Sequence, residues 1–493
     1  MLKTFFKLSA FIMVFISPSY TQTESLQEIE NLIKKAFQAN YNRFYSMLNS
    51  ENPYRLYNIE VYTINLIEAA GKTKDINLID SLAALYNIAL KDLISTDTYY
   101  LPYNQKIDTI KFKKPYKLWL NKTKYLTDSM YKDVNIEVIL NSIQFSYAVT
   151  RTINLSLLFD NEQLNNTVNI NKLADEYWDI IVNDQLYRWI FGEKLFNIES
   201  WGCIKGNYNH NELIDLKANE KFRKTVSHCK AITDCDLWIM ACVAEILMIN
   251  EKAPQRFPIA DSLKNNFKEY LNKSLQLVKS RYYQVKVKDF NNTKTTALQF
   301  DIKAWIDHID NRYARIETDS IPLNIKPKKL KKIGWDISHA RRLVSCLNTF
   351  YNYNLIFNTG FPDSTDMKKI ANNFAYNVFN GDFTNPLFSN YMDGTNGWYR
   401  LGYKCQNCGY GPYDLAISAL TGGFFIWEKY NNDLKPLKTI MFKHIKENSG
   451  HWQKYYGRYF ENGHKTEPVI PMNLKSFDSV ILIEFLPVFL IVN

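Results

Sequence analysis

The stretch Arg55–Ile94, RLYNIEVYTINLIEAAGKTKDINLIDSLAALYNIALKDLI, decides the fold class that we predict for this chain. Its first half carries apolar residues at helical spacing and runs to Gly71, a residue type that commonly ends helices. Its second half starts at Asp75 and repeats the helical spacing after a short turn. We therefore expect a hairpin of two helices here.

Helical periodicity of the same kind recurs along the whole chain. It is found at 26–47, 117–130, 135–158, 171–191, 211–225, 231–249, 259–284, 296–312, 336–358, 366–380, 412–430, 433–447 and 473–490. Almost no segment alternates as a strand. Helix hairpins that follow one another without a domain boundary bury both their faces when they close into a ring. The pattern predicts an all-α closed ring, and an open solenoid is the alternative, although no fixed-period repeat supports it.

The N-terminus has the three parts of a secretory signal peptide. Lys3 and Lys7 are basic, Leu8–Ile16 is a short apolar core, and small residues at 17–21 offer a cleavage site. We expect residues 1–21 to be removed and residues 22–493 to form one domain. The protein is then exported, to the periplasm or beyond.

Charge and composition narrow the classes of partner. Sixty basic and fifty acidic residues give a net charge of +10, which permits an acidic partner such as a polyanionic sugar. No nucleic-acid-binding signature is present. The apolar run Val480–Val492 is interrupted by Glu484 and Pro487 and is too short to cross a bilayer, so we expect no membrane span after signal cleavage.

The seven cysteines leave at least one thiol unpaired. Cys242 and Cys346 lie in apolar helical stretches and are predicted to be buried thiols. The pairing among the others, Cys203, Cys229, Cys235, Cys405 and Cys408, stays open. Because the 405–408 CxxC motif has no second pair, we expect neither a metal nor a cofactor. The HExxH, P-loop and GxSxG motifs are also absent.

The segment Gly334–Arg342, GWDISHARR, is the first candidate for chemistry. Asp336 or Ser338 is suited to cap the following helix, which places His339 in its first turn. The positive end of a helix disfavours a protonated imidazole, and a general base must be unprotonated. The alternative is that Asp336 and Ser338 are only caps and His339 is a packed side chain.

The second candidate is the glycine-rich loop that starts at Asn390. Seven of the 17 glycines fall between Gly394 and Gly423, a density typical of functional loops. The loop offers aromatic faces that can stack on sugars, and charged side chains that can pair with them. Its candidate residues are Tyr391, Asp393, Trp398, Tyr399, Arg400, Tyr410, Tyr413 and Asp414. Trp335 and Glu60, which lies one turn from Tyr57, are added as substrate-binding candidates.

The segments Trp335–Ala340 and Tyr391–Gly394, followed by a Trp-containing loop and a Gly-rich helix start, resemble bacterial exported proteins with the six-hairpin (α/α)6 toroid fold. That fold is shared by many polysaccharide lyases, glycoside hydrolases and glucuronyl epimerase-like proteins. The resemblance implies an (α/α)6 toroid with little or no β structure. It also implies a carbohydrate substrate.

Two reaction types are compatible with these residues. A lyase acting beside a sugar carboxylate needs a base, an acid and a neutralising cation, for which we nominate His339, Tyr391 or Tyr399, and Arg400. A glycoside hydrolase needs two carboxylates, and Asp336 with Asp393 is the first pair to test. Asp414 and Glu60 are held in reserve. The alternative function is a non-catalytic helical toroid that binds carbohydrate or protein.

Overall fold

A computed structural model describes residues 26–103, 106–122, 135–197, 206–219, 227–301, 308–319, 326, 330, 332–402, 408–456, 459–461, 464–466, 472 and 474–492. The predicted signal peptide lies outside these residues, as do Cys203 and Cys405. Buried residues from Ile29 to Leu490 form one hydrophobic core.

Helices account for most of the regular structure. They are α1 (Leu26–Leu48), α2 (Arg55–Thr73), α3 (Ile76–Asn87), α4 (Ile139–Ser156), α5 (Asn161–Asn165), α6 (Val168–Asp179), α7 (His210–Ala218), α8 (Asp234–Lys252), α9 (Asp261–Lys279), α10 (Ile337–Phe357), α11 (Ser364–Asn373), α12 (Ser418–Thr421), α13 (Leu434–Glu447), α14 (Gly450–Tyr455), α15 (Val480–Glu484) and α16 (Pro487–Val492). Two π-helical segments span Ile180–Gly192 and Phe374–Val378. Short 3-10 turns span Ile88–Asp92, Ser227–Lys230, Ile309–Asn311 and Phe424–Lys429.

Antiparallel hairpins interrupt the helices. The strands are β1 (Leu93–Tyr103), β2 (Lys106–Lys122), β3 (Asn135–Glu137), β4 (Phe196–Asn197), β5 (Asn207–Tyr208), β6 (Tyr282–Lys288), β7 (Lys294–Phe300), β8 (Tyr459–Glu461) and β9 (His464–Thr466). Within the described residues they form one three-stranded sheet, β1-β2-β3, and three two-stranded sheets. The prediction of an all-α toroid with little or no β structure is therefore wrong. Residues 117–122 and 296–300, expected in helices, lie in strands.

The three-stranded sheet is joined to the π-helical segment by a buried ion pair. Nη1 and Nη2 of Arg188, in Ile180–Gly192, each donate to Glu137 of β3 over 2.9 Å, and neither side chain is exposed. The guanidinium also lies 5.8 Å from the ring of Phe112 on β2, which packs against Tyr116. Long strands thus occur here because their aromatic face is covered by the π-helical segment.

Four parallel helices form the centre of the molecule. Helix α2 packs against α4, α4 against α8 and α8 against α10, and α12 and α15 lead from α10 back to α2. Near the helix starts, Arg342 of α10 lies 3.4 Å from Asp234 of α8. Near the helix ends, Arg151 of α4 pairs with Glu68 of α2 over 2.6 Å. The four N-termini therefore lie at the same end.

The predicted end of α2 at Gly71 is wrong, because the helix runs on to Thr73 and ends at Lys74, whose φ is 54°. Gly71 is instead a packing position, since a Cβ there would lie 2.8 Å from Leu155 of α4. The next start is as predicted, because Asp75 accepts a hydrogen bond from the backbone N–H of Leu78. A glycine near the end of a helix either ends that helix or lets a neighbouring helix pack closely against it. The spacing of apolar residues alone does not distinguish these two roles.

Candidate functional site

Helix α10 begins beside the glycine-rich loop, and the two are joined through their backbones. Asp336 caps the helix by accepting from the backbone N–H of His339 over 3.1 Å. On either side, Ile337 N–H donates to Asn390 and Met392 N–H donates to the carbonyl of Trp335, each over 2.8 Å. The predicted cap is therefore present, and it also fixes the loop above the first turn of α10.

Asp336 and His339 form a tight pair at this position. One carboxylate oxygen, Oδ1 of Asp336, lies 2.9 Å from Nδ1 of His339 and accepts from the hydroxyl of Ser338 over 2.5 Å. Burial opposes ionisation of Asp336, but the charge and hydrogen bond of His339, the Ser338 hydroxyl and Arg400 lower its pKa to about 2. An ionised carboxylate only accepts hydrogen bonds, so Nδ1 of His339 carries a proton, and in the neutral imidazole of this tautomer the lone pair is on Nε2.

Tyr399 completes the group around the imidazole. Its hydroxyl lies 3.4 Å from Nδ1 of His339, and the two rings meet at 68° with centroids 6.2 Å apart. Its backbone pairs with that of Tyr410 in both directions over 2.8 Å. Burial, together with the negative charge of Asp336, raises the pKa of Tyr399. The phenol therefore keeps its proton and can act as a donor beside the base.

The backbone of Arg400 adopts a conformation that is unfavourable for residues with a side chain. Its φ is 52°, in the left-handed region that non-glycine residues rarely adopt. Asp310 binds it twice, accepting from the backbone N–H of Arg400 over 2.9 Å and from Nε over 3.0 Å. The guanidinium lies 5.2 Å from the ring centre of Tyr399. A strained backbone that is retained at a charged residue next to Tyr399 is typical of a functional position.

Two buried asparagines, which the sequence did not single out, shape the loop. The side-chain amide of Asn390 donates to the carbonyls of Gly397 and Gly411, and its oxygen accepts from the N–H of Leu415. The oxygen of Asn396 accepts from the N–H of Tyr413 over 2.9 Å. In the sequence, these two asparagines were marked only by the turn-forming residues next to them.

We expect Asn390→Ala to destabilise the protein by about 3 kcal/mol, because three buried backbone groups lose their partner and each costs about 1–3 kcal/mol. Chemical denaturation followed by circular dichroism measures this. Asn432→Ala is the matched control, since Asn432 is exposed at the start of α13. Equal stability of the two variants would show that Asn390 does not hold the loop.

Below the histidine, polar and charged residues of three central helices meet. Arg342 donates to the carbonyl of His339 over 3.2 Å and to the hydroxyl of Tyr57 over 2.9 Å. Glu60, one turn further along α2, is buried and accepts from the amide of Gln144 on α4. Burial raises the pKa of Glu60, although Arg341, Gln144 and Arg342 act against it.

Several predicted site residues have structural partners instead. The hydroxyl of Tyr391 is buried and donates to the carbonyl of Trp398 over 3.1 Å. Asp393 accepts from the N–H of Thr395 over 3.2 Å, within its own turn. Asp414 accepts from the N–H of Gly411 over 2.7 Å, so it too closes a turn.

The predicted aromatic sugar platforms are only partly accessible. Trp335 and Trp398 are buried, and the indole N–H of Trp398 donates to the carbonyl of Thr318 over 2.9 Å. Tyr410 and Tyr413 are half-buried, and Tyr413 has a φ of 65°. The geometry thus gathers Asp336, His339, Tyr399 and Arg400, with Tyr410 beside them through its backbone.

Cysteines and metals add little to this site. Cys229 and Cys408 are each disulfide-bonded, whereas Cys235, Cys242 and Cys346 are free thiols. Cys242 and Cys346 are buried as expected. Within the described part of the chain, no three His, Cys, Asp or Glu side chains are grouped to hold a metal ion.

Comparisons with protein-family models, with curated proteins and with solved structures give no match to this chain. Among the described helices, none has the length and apolarity needed to span a bilayer.

Proposed function

We propose that this protein is an exported enzyme that cleaves an acidic polysaccharide or oligosaccharide by lyase-type elimination. The single observation that carries the proposal is the group formed by Asp336, His339 and Tyr399, with Nδ1 of His339 2.9 Å from the carboxylate and 3.4 Å from the phenol. An elimination needs a base and a proton donor close together, and this group supplies both.

The proposed step uses each side chain in one role. Nε2 of His339 takes the proton from the carbon next to the sugar carboxylate. The electron pair of that C–H bond forms a carbon–carbon double bond, and the glycosidic C–O bond breaks on the neighbouring carbon. Tyr399 gives its proton to the departing oxygen. Asp336 stabilises the protonated imidazole, as an ionised partner does in a catalytic His–Asp pair.

Arg400 is proposed to neutralise the substrate carboxylate. Its side chain is about one third exposed (32 %) beside the ring of Tyr399, while Asp310 holds Nε. Removing the carboxylate's charge makes the neighbouring proton easier to abstract, because the developing negative charge is stabilised. The net charge of +10 suits an anionic substrate.

The hydrolase alternative has less support. Hydrolysis of a glycosidic bond needs two carboxyl groups about 5–10 Å apart, both facing the bond. Asp336 is committed to its hydrogen bonds with Ser338 and His339, and Asp393 to its own turn. The buried positions of Trp335 and Trp398 also weaken the alternative of a binding-only protein, because they offer little ring surface to a sugar.

Export is part of the proposal. It rests on the signal-peptide pattern of residues 1–21 and on the disulfides of Cys229 and Cys408, since disulfides persist mainly in oxidising compartments. The test is a degradation screen of the purified protein against acidic and neutral polysaccharides. Unsaturated sugar products, detected by their ultraviolet absorbance, would support elimination. Reducing ends without unsaturation would point to hydrolysis and contradict it.

We expect Arg400→Gly to lower turnover on an acidic polysaccharide by about a hundredfold. Loss of one electrostatic group costs about 10²–10³ in rate, whereas glycine adopts a φ of 52° without strain, which offsets part of the stability that is lost with the ion pair to Asp310. Lys74→Gly is the matched control, since it also removes a positive charge at a positive φ, 54°, at the exposed end of α2. Equal turnover of the two variants would contradict the role of Arg400.

A further inference from the structure

We infer that a second sugar-binding subsite lies at the start of α2, built by Tyr54, Tyr57 and Arg342. The inference rests on the proposed function for its ligand class, a sugar ring of the same acidic chain. It assigns a role to the first turn of α2, which the reaction step itself does not use.

Three successive contacts connect this surface to the proposed base. Arg342 donates from Nη1 to the backbone carbonyl of His339 over 3.2 Å and from Nη2 to the hydroxyl of Tyr57 over 2.9 Å. The ring of Tyr57 then meets that of Tyr54 edge to face, with centroids 6.4 Å apart. The two tyrosines therefore border the histidine through one guanidinium.

The exposed tyrosine is unusual for its place in the fold. Tyr54 is 49 % exposed, although it directly precedes α2, whose residues Arg55 and Leu56 are buried. Its ring stands at 88° to the ring of Tyr57, which packs beside it. A flat aromatic face that is both fixed and open to solvent is the arrangement on which a sugar ring stacks with little loss of side-chain freedom.

Arg342 supplies the polar part of the subsite. It is buried between Tyr57 and Asp234, and its Nε has no hydrogen-bond acceptor within the described residues. The positive charge beside an aromatic pair fits a sugar that carries a carboxylate.

This placement has a consequence for the way that the chain is bound. Tyr54, which precedes α2, is linked to the backbone of His339 through Tyr57 and Arg342, whereas Arg400 of the glycine-rich loop lies beside Tyr399, whose hydroxyl is 3.4 Å from Nδ1 of His339. A chain that reaches both Tyr54 and Arg400 places sugars on either side of the cleaved bond. Longer substrates are then bound more tightly than the shortest ones.

The test measures binding in the His339→Ala background, so that no substrate is consumed. Affinity gel electrophoresis in polygalacturonate, alginate and hyaluronate gives the dissociation constant for each polymer. We expect the further change Tyr54→Ala to weaken retention about tenfold. Tyr45→Ala is the matched control, because Tyr45 is also 49 % exposed but lies on α1, and it should leave retention unchanged.

The outcomes separate this inference from the proposed function. Equal retention of the Tyr54→Ala and Tyr45→Ala proteins, or no retention of the His339→Ala protein by any polymer, overturns the subsite. A wild-type protein that is retained through Tyr54 but releases no unsaturated product keeps the subsite and loses the lyase proposal. A wild-type protein that cleaves a polymer without any effect of Tyr54 keeps the lyase proposal and loses the subsite.

Discussion

His339→Ala is expected to lower kcat/KM on an acidic polysaccharide by about a thousandfold, since a positioned general base contributes about 10²–10⁴ in rate. The fold should survive this change. The cap of α10 uses the backbone N–H of residue 339, which alanine retains, and the imidazole is partly exposed. Continuous measurement of unsaturated product, with the melting temperature of each variant, checks both statements.

A matched histidine variant makes this result specific. His451 is half-buried on α14, where its ring binds the carbonyl of Pro386 over 2.9 Å. His451→Ala removes a comparable side chain from another part of the structure, and its activity should equal that of the wild type. If His339→Ala retains more than about a tenth of the wild-type kcat/KM, then His339 is not the base.

The sequence anticipated the start of α10 because a capping residue acts locally. Asp336 and the backbone N–H that it binds are three residues apart, and this spacing is visible in the sequence. The contact of His339 with Tyr399 spans 60 residues and depends on how the loop is tied down. Asn390 decides that geometry through carbonyls up to 21 residues away, which no local pattern reveals.

The strands were missed for a different reason. The sequence Tyr282–Lys288, YYQVKVK, does alternate, and its burial alternates in the structure. The predicted helix at 259–284 takes in the first three residues of this strand, because no glycine or proline separates the end of α9 at Lys279 from Tyr282. Two-stranded hairpins gain stability from the helices that pack against them. The sequence of the hairpin alone does not reveal that packing.

Asp336→Asn is expected to reduce kcat/KM by about a thousandfold while keeping the helix cap. Asparagine caps a helix about as well as aspartate does, because its side-chain oxygen still accepts from the N–H of His339. It carries no charge to stabilise the protonated imidazole and does not enforce the Nδ1–H tautomer, and the same change in a Ser-His-Asp triad lowers kcat about 10⁴-fold. Turnover of the purified variant measures the loss.

The same variant should change how stability depends on pH. In the folded protein the pKa of Asp336 is about 2, below the value of about 3.9 that an unfolded chain gives. A carboxyl whose pKa is lowered by folding stabilises the protein above the unfolded pKa, and that contribution is lost as the pH falls through the folded pKa. Asp336 therefore contributes about 2 kcal/mol in weakly acidic solution, where His339 is protonated, and this contribution is lost between about pH 4 and pH 2.

Urea unfolding at a series of pH values separates the cap from the charge. As the pH falls below about 4, the free energy of unfolding of the wild type should decrease by about 2 kcal/mol more than that of the Asp336→Asn protein. Asp363→Asn is the control, because Asp363 also caps a helix, α11, by accepting from the N–H of Asp366 over 2.8 Å, but without a histidine. If the two variants show the same acid dependence, the ion pair with His339 does not stabilise the fold. If Asp336→Asn also retains wild-type turnover, the pair does not serve the reaction either, and Asp336 acts only as a helix cap.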